Sequence, residues 1–302
     1  MPTIPNLSRR QFIGALPILA GSVRLLAAGP GKLLPGCQTN AWKIDPHDFS
    51  TFLQVLEQVK DFKYAGFETG FGNVQAQFGK PEARRQIEAT GLRFTGIHIF
   101  LFSYDPQTAV APASLYQRVA EGGAGLGADR LILSGGPVNS DGKLDDAALH
   151  RKADALTAAA TYARQQGLGM AYHNEFRDSR SGGIELEALM RETDPALVSF
   201  LLDTGHAYIG GVDVPAFFRQ HHTRIVGLHL RDYKGKQGAP PTELDEVPLG
   251  EGGFDLNAMA KAVEKSGWSG WVMNEEDYAN GSKPGSTAIK VARESLRKAF
   301  HV

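Results

Sequence analysis

Imidazole and carboxylate side chains follow four apolar runs in the second half of this chain. The segments lie at residues 171–175 (AYHNE), 201–206 (LLDTGH), 227–232 (GLHLRD) and 271–277 (WVMNEED). They supply His173 or Glu175, then Asp203, His229 and Glu275, roughly 25 to 45 residues apart, about the length of one βα unit. Carboxylates and imidazoles without a thiolate are ligands that suit Mn²⁺, Mg²⁺, Co²⁺, Fe²⁺ or Zn²⁺. The pattern therefore predicts a divalent-metal site built from the ends of successive strands.

Strand-like and helix-like stretches alternate along the part of the chain that carries these segments. The strands are predicted at residues 33–39, 66–68, 92–100, 130–134, 168–173, 197–202, 224–230 and 270–275. The first helix is predicted to begin after Asp48, which is its N-cap. The other seven helices are predicted at residues 81–90, 113–126, 145–166, 184–191, 214–221, 254–266 and 287–300. Eight such units predict a parallel sheet closed into a (β/α)₈ TIM barrel over residues 33–300. Side chains at the carboxyl ends of its strands would face the active site.

One connection is too long to be a simple turn. Residues 231–253 are rich in glycine and proline and follow the seventh predicted strand. Loops of this length in a compact domain usually have a function. We expect this segment to form a lid or a wall of the substrate site.

Composition excludes several classes of protein and site. The chain has 302 residues, a net charge of −1 and a hydrophobic fraction of 42%, as is typical of a soluble globular domain. Without a basic excess, it has no electrostatic basis for binding nucleic acid. Cys37 is the single cysteine, so an internal disulfide and a zinc site of several thiolates are both excluded.

The first 28 residues are predicted to be a signal peptide outside the fold. Ser8, Arg9, Arg10 and Phe12 match the twin-arginine export pattern, and an interrupted apolar run follows to Ala28. The run is too short and too interrupted for a permanent membrane span, which needs about 20 apolar residues. The sequence therefore predicts recognition by the twin-arginine machinery, a periplasmic or secreted location and no stable membrane anchor.

The metal segments, taken with two neighbouring motifs, resemble the sugar phosphate isomerase/epimerase family of xylose isomerase-like TIM barrels. LDTGH at 202–206 matches the family's Asp-x-Gly-His, and PLGEG at 248–252 matches its Pro-x-Gly-x-Gly loop. RI at 224–225 with HLRD at 229–232 matches Arg-Ile…His-x-Lys-Asp, with Arg231 replacing the usual lysine. GWVMNE at 270–275 matches the strand that ends in the last glutamate. Many members have a second histidine where this chain has Glu175, so His173 and Glu175 both stay candidates for the first ligand.

The resemblance implies a role for each candidate side chain. One divalent ion, held by four protein groups, would polarise a sugar carbonyl and stabilise the enediolate formed when the neighbouring proton leaves. Glu175 and Glu275 are the implied pair of proton-transferring groups. Substrate contacts are expected from His98, His206, Arg231 and Glu68. Arg231 could instead simply pair with Asp232, and Asn40, Trp42, Phe71 and Phe100 could form a wall for the sugar.

The leading functional hypothesis is a metal-dependent isomerase or epimerase of a sugar or keto-sugar. A lyase or dehydratase of a 3-keto-glycoside or inosose-like substrate shares the first step and is the alternative. A barrel that only binds sugar, and a metal-dependent endonuclease for abasic sites, are more distant alternatives. Members of the family often pair, so a homo-oligomer is also an expectation.

Overall fold

The strands form the closed barrel that the alternation predicts. A computed structural model describes residues 31–140, 142–239, 246–277 and 285–302, so the predicted signal peptide at 1–28 lies outside the described residues. The barrel strands, numbered β1 to β8, are Leu33–Gln38, Gly66–Gly70, Arg93–Ile99, Arg130–Ser134, Gly169–His173, Ser199–Asp203, Ile225–Leu230 and Gly270–Asn274. Each pairs in parallel with the next along the chain, and β8 pairs with β1 through Cys37 and Asn274. The TIM barrel is confirmed, and all eight strands lie within two residues of their predicted bounds.

Nine helices are described around and beside the barrel. Numbered α1 to α9, they are Phe49–Asp61, Pro81–Ala89, Ala113–Leu126, Asp146–Gln165, Phe176–Glu192, Thr204–Ile209, Val214–His221, Leu256–Ser266 and Gly285–Phe300. Asp48 is the predicted N-cap of α1, and its carboxylate accepts a hydrogen bond from Ser50 N. No helix in the described ranges is long and apolar enough to cross a membrane.

Side-chain alternation in the barrel strands places an apolar layer directly below the candidate site. Ile132, Ala171 and Leu201 form a buried cluster of their own, separate from the large core that includes the apolar faces of the helices. Each lies two residues before a strand's last residue, and the strands end at Ser134, His173 and Asp203 respectively. Because alternate residues share one face of a strand, the three strand-end side chains point into the same barrel mouth.

Two local features differ from the sequence prediction. Helix α5 begins at Phe176, not at 184, because its first turn has a capping box in which Glu175 N donates to Asp178 Oδ1 over 2.8 Å. The helix is interrupted by non-helical backbone from Arg180 to Gly183 before it continues. The short helix α6 was not predicted, since six residues that include Gly205 carry little periodicity.

The 231–253 connection has more structure than a loop prediction implies. Asp232–Tyr233 pairs antiparallel with Glu246–Val247, forming a small two-stranded sheet after β7. The Asp232 carboxylate accepts hydrogen bonds from the backbone N–H groups of Gly250, Gly252 and Phe254, at 2.9 to 3.0 Å. This carboxylate therefore anchors the Pro-x-Gly-x-Gly segment beside the end of β7.

Candidate metal centre

Four buried side chains meet at the carboxyl ends of β5 to β8. His173, Asp203, His229 and Glu275 each offer one ligand atom, and these atoms all lie within 4.8 Å of one another. His173 Nε2 lies 3.0 Å from His229 Nδ1, 3.6 Å from Asp203 Oδ2 and 3.5 Å from Glu275 Oε2. The four ends supply two imidazoles and two carboxylates from strands that are neighbours in the barrel.

The two imidazoles are held from behind by other side chains. Ser134 Oγ lies 3.3 Å from His173 Nδ1, which leaves Nε2 facing the cluster. Glu68 Oε2 lies 2.6 Å from His229 Nε2, which leaves Nδ1 facing the cluster and in contact with Glu275. A histidine that binds a metal usually has its second ring nitrogen bonded in this way, which fixes the ring and makes it a better ligand.

The donor set fits a divalent cation. Ligand atoms about 2.0–2.2 Å from such an ion lie roughly 3 to 4 Å from one another, as the measured separations do. Asp203 Oδ2 is buried and accepts no hydrogen bond from the described residues, although Arg231 Nε lies 3.2 Å away. A buried carboxylate oxygen without a hydrogen bond is costly unless a cation or water compensates it. His173, Asp203, His229 and Glu275 are therefore the residues that would hold the ion.

Charge in the cluster is set by close ion pairs. Burial alone would raise the pKa of the Glu275 carboxyl, but Arg231 and His229 hold it well below its usual range. Burial alone would lower the pKa of His229, but Glu275 and Glu68 outweigh it and raise the value to about 10. Without an ion, His229 therefore carries a second proton, and a cation binding at Nδ1 must displace it.

Arg231 pairs with the cluster and with the 231–253 connection. Its Nη2 lies 2.9 Å from Glu275 Oε1, its Nε lies 3.2 Å from Asp203 Oδ2, and its Nη1 lies 3.1 Å from Glu246 Oε2. The three carboxylates that pair with Arg231 in the described residues are thus those of other residues, and the Asp232 carboxylate accepts from backbone N–H groups of the following segment.

Glu175 lies beside the four-residue cluster and outside it. Strand β5 ends at His173, and Glu175 is already the N-cap of α5, so the two residues do not share the alternation of a single strand. Glu175 Oε1 lies 3.8 Å from His173 Nδ1, and Oε2 lies 3.3 Å from Nε2 of His206. His206 is on α6, and burial lowers its pKa. The structure thus pairs a carboxylate with a neutral imidazole next to the candidate metal ligands.

A cavity of about 870 Å³ opens above the cluster. Its polar wall includes His173, Glu175, His206, Arg231, Glu246 and Glu275, and its apolar wall includes the predicted Trp42, Phe71 and Phe100. Asn40 also lines it and donates to Glu275 Oε1 over 2.9 Å. The cavity therefore joins the candidate metal ligands to the side chains expected to contact a sugar.

Glu68 and His98 do not line that cavity, although both were expected to contact substrate. Glu68 is buried against His229, and His98 is buried with its Nε2 2.9 Å from Ser134 Oγ. Both side chains therefore lie beneath the site and support the imidazoles. Ser134 and Glu246 were not predicted to belong to the site. The only local signals are that Ser134 ends a strand and that Glu246 lies in the long connection.

Replacing Glu68 by glutamine should weaken metal binding without changing any of the four cluster residues. An amide cannot supply the charge that holds the His229 imidazole, and loss of such a partner typically costs 10- to 100-fold in metal affinity. Competition titration with a chromophoric chelator would measure this change.

Glu187→Gln is the matched control for this prediction. Its carboxylate lies 2.9 Å from His221 Nε2 on the outer helices, so the same type of pair is altered away from the site. Equal affinities for Glu68→Gln and the unaltered protein would contradict the role given to Glu68.

Comparison with known families identifies the barrel. The model of the xylose isomerase-like TIM barrel family matches residues 56–299. The chain belongs to this family. Two solved structures agree in fold: L-ribulose 3-epimerase, at 17% identity, covers 89% of this chain and 95% of its own, with a TM-score of 0.72. The IOLI protein with a binding zinc atom, at 14% identity, covers 88% and 98%, with a TM-score of 0.71.

Curated proteins similar to this chain include inosose dehydratases. The enzyme of Lacticaseibacillus casei is 29% identical over 139 residues, which is 42% of this chain and 46% of the relative. The match thus spans about half the length of that relative. The enzyme of Geobacillus kaustophilus is 25% identical over 279 residues, covering 84% of this chain and 89% of the relative.

Proposed function

We propose that this protein is a divalent-metal-dependent enzyme that removes a proton from the carbon next to the carbonyl group of a cyclic keto-sugar or keto-polyol. The proposal depends on the four-residue cluster and on the two residues beside it, Glu175 and His206. All of these side chains line one cavity except those of Asp203 and His229, which are buried beneath it. A bound ion would act as a Lewis acid toward the substrate oxygens and favour loss of the adjacent proton.

Glu175 is the proposed proton acceptor. Its side chain is 15% exposed on the cavity wall, and it is outside the cluster, so its oxygens are available to a substrate. The neutral His206 imidazole, with Nε2 3.3 Å from Glu175 Oε2, would orient that carboxylate. Glu275 is the expected second proton-transferring group, but its pairing with His229 and Arg231 suits it better to holding the ion.

Elimination is the outcome that we favour over epimerisation. After the α-proton has moved to Glu175, the electron pair of the broken C–H bond forms a carbon–carbon double bond as the β-oxygen substituent departs. The proton on Glu175 can neutralise that departing oxygen, giving water from a hydroxyl or an alcohol from a glycoside. The inosose dehydratase relatives support this reading, because a dehydratase removes water from its substrate. Return of the proton to the carbon would instead make the protein an epimerase. This is the second candidate function, and the structural likeness to L-ribulose 3-epimerase supports it.

Proton NMR in D₂O, with inososes, 3-keto-glycosides and free keto-sugars as substrates, tests the proposal. Purified protein should contain about one divalent ion per chain. It should catalyse the incorporation of deuterium at a single α-carbon of the substrate. An unsaturated product with release of water or alcohol would mark the lyase, and a stereoisomer would mark the epimerase. Absence of both exchange and product with every substrate would overturn the proposal in favour of a barrel that only binds sugar.

We also propose that residues 1–28 direct export through the twin-arginine machinery to a periplasmic or secreted location. The support is the sequence pattern around Arg9 and Arg10. Changing both arginines to lysine should keep the protein in the cytoplasm, as cell fractionation would detect. A Lys60→Arg, Lys63→Arg control makes two similar changes outside the motif and should leave the location unchanged.

A further inference from the structure

A single bulky apolar side chain stands almost fully exposed at the mouth of the candidate site. Phe102 is 95% exposed, and among the described residues it is the one large hydrophobic side chain that is exposed. It belongs to a short helical turn, Leu101–Ser103, just after β3, and it lines the same 870 Å³ cavity as the candidate ligands His173 and Glu275. A lone exposed apolar side chain is ordinary, but one that continues an apolar wall at the edge of a cavity extends a ligand-binding surface.

The apolar side of the cavity extends from the inner wall to Phe102. Trp42, Phe71, Phe100, Leu101 and Phe176 line it together with Phe102, and they come from connections after four different barrel strands. The inner part is fixed, since the Phe100 ring packs 4.1 Å from that of His98, centroid to centroid. Phe102 has no ring partner among the described residues. The outer end of the wall therefore has apolar surface that the described residues leave exposed.

The size of the cavity exceeds the needs of one sugar ring. Pockets for drug-sized ligands span about 300–1,000 Å³, and 870 Å³ lies near the upper end of that range. The polar groups lie around the metal ligands, where a ring rich in hydroxyls would bind. The remaining volume is beside aromatic side chains, and aromatic rings pack well against another flat ring.

We infer that Phe102 forms an aglycone subsite, which receives the aromatic leaving group of a glycoside whose keto-sugar ring lies over the metal centre. The inference rests on the proposed function and narrows its substrate class to aryl glycosides. It makes Phe102 a specificity-determining residue: the ring packs against the aglycone and takes no part in proton transfer.

Paired substrates that differ only in the aglycone provide the kinetic test. The substrates are 4-nitrophenyl and methyl 3-keto-β-D-glucopyranoside; because 4-nitrophenolate is the better leaving group, the effect of Phe102→Ala is compared within each substrate. Phe102→Ala should lower kcat/KM for the aryl substrate about tenfold, mainly through KM, which corresponds to about 1.4 kcal/mol. The methyl substrate should change less than about twofold, since that substrate lacks the contact. Phe102→Tyr keeps the ring and should retain the kcat/KM of the aryl substrate.

A binding experiment separates this inference from the proposed reaction. Saturation-transfer NMR with unoxidised 4-nitrophenyl β-D-glucopyranoside needs no turnover, and its aryl protons should be saturated by the unaltered protein and lose that saturation in Phe102→Ala. If this occurs while no ketoglycoside reacts, the reaction is wrong and the subsite stands. Equal loss for both ketoglycosides would overturn the subsite. A shift from dimer to monomer in Phe102→Ala, seen by sedimentation, would also overturn it and assign Phe102 to a contact between copies.

Discussion

Replacing Glu275 by glutamine is expected to abolish stoichiometric metal binding and to slow α-proton exchange by about three orders of magnitude. The carboxylate contacts His229, lies 3.5 Å from His173 Nε2 and pairs with Arg231 at 2.9 Å. Its negative charge therefore stabilises the close approach of these three nitrogen-bearing side chains. An amide of the same shape removes that charge from the cluster. Loss of the ion removes a Lewis acid that would be worth several kcal/mol in the transition state, and about 4 kcal/mol corresponds to a 10³-fold change in rate.

Glu276→Gln is the control for this experiment, because the altered residue is the next one along the chain. Burial and the nearby Glu246 raise the pKa of Glu276 well above its usual range, which favours its neutral form over the carboxylate. Its Oε1 accepts a hydrogen bond from Leu249 N over 3.1 Å, which the amide oxygen of glutamine can also accept. The control should therefore keep its ion and its exchange rate. Metal content by elemental analysis and exchange by NMR measure both proteins. A Glu275→Gln protein with about one ion per chain and undiminished exchange would rule out this assignment.

Replacing Lys152 by methionine is expected to destabilise the barrel by about 3–5 kcal/mol. Lys152 is completely buried on α4, where its Nζ lies 2.7 Å from Glu185 Oε1, 2.6 Å from the Tyr172 hydroxyl and 2.8 Å from the Gly136 carbonyl oxygen. Removing one partner of a buried ion pair leaves the other charge without compensation, and costs of this size are usual. Urea unfolding followed by circular dichroism would measure the loss as a lower midpoint.

The effect should extend to the candidate site. Tyr172 directly precedes His173, and its hydroxyl also bonds to Asp178, whose carboxylate caps the turn that begins at Glu175. Burial raises the pKa of Asp178 to about 7 even though Lys152 opposes the change, so loss of Lys152 favours the neutral acid further. We therefore expect Lys152→Met to bind metal less tightly as well as to unfold more easily.

Two further variants separate charge from packing at this position. Lys60→Met changes an exposed lysine on α1 and should alter stability by less than about 0.5 kcal/mol. Adding Glu185→Gln to Lys152→Met removes the uncompensated charge and should recover part of the lost stability. If Lys152→Met unfolds at the same urea concentration as the unaltered protein, the buried pair does not stabilise the fold as argued.

Much of the fold could be predicted from the chain alone because the signals are local. Apolar runs separated by helical periods gave eight βα units, and each of the eight strands was found within two residues of its expected position. Asp203, His229 and Glu275 could be chosen as candidate ligands for the same reason, since each lies at the end of an apolar run or directly after it. Parallel strands in a barrel bring such positions to one face whatever the details of packing.

Only the tertiary structure decided which side chains face the candidate metal centre and which support it. The sequence left His173 and Glu175 equivalent, and the end of β5 at His173 separates them: one joins the cluster and the other caps α5. Glu68 was expected at the substrate but lies 2.6 Å from His229 Nε2, a residue far along the chain. Alternation along a strand determines the face on which a side chain lies. Which atoms meet across the barrel depends on the register and closure of all eight strands, and no local pattern records them.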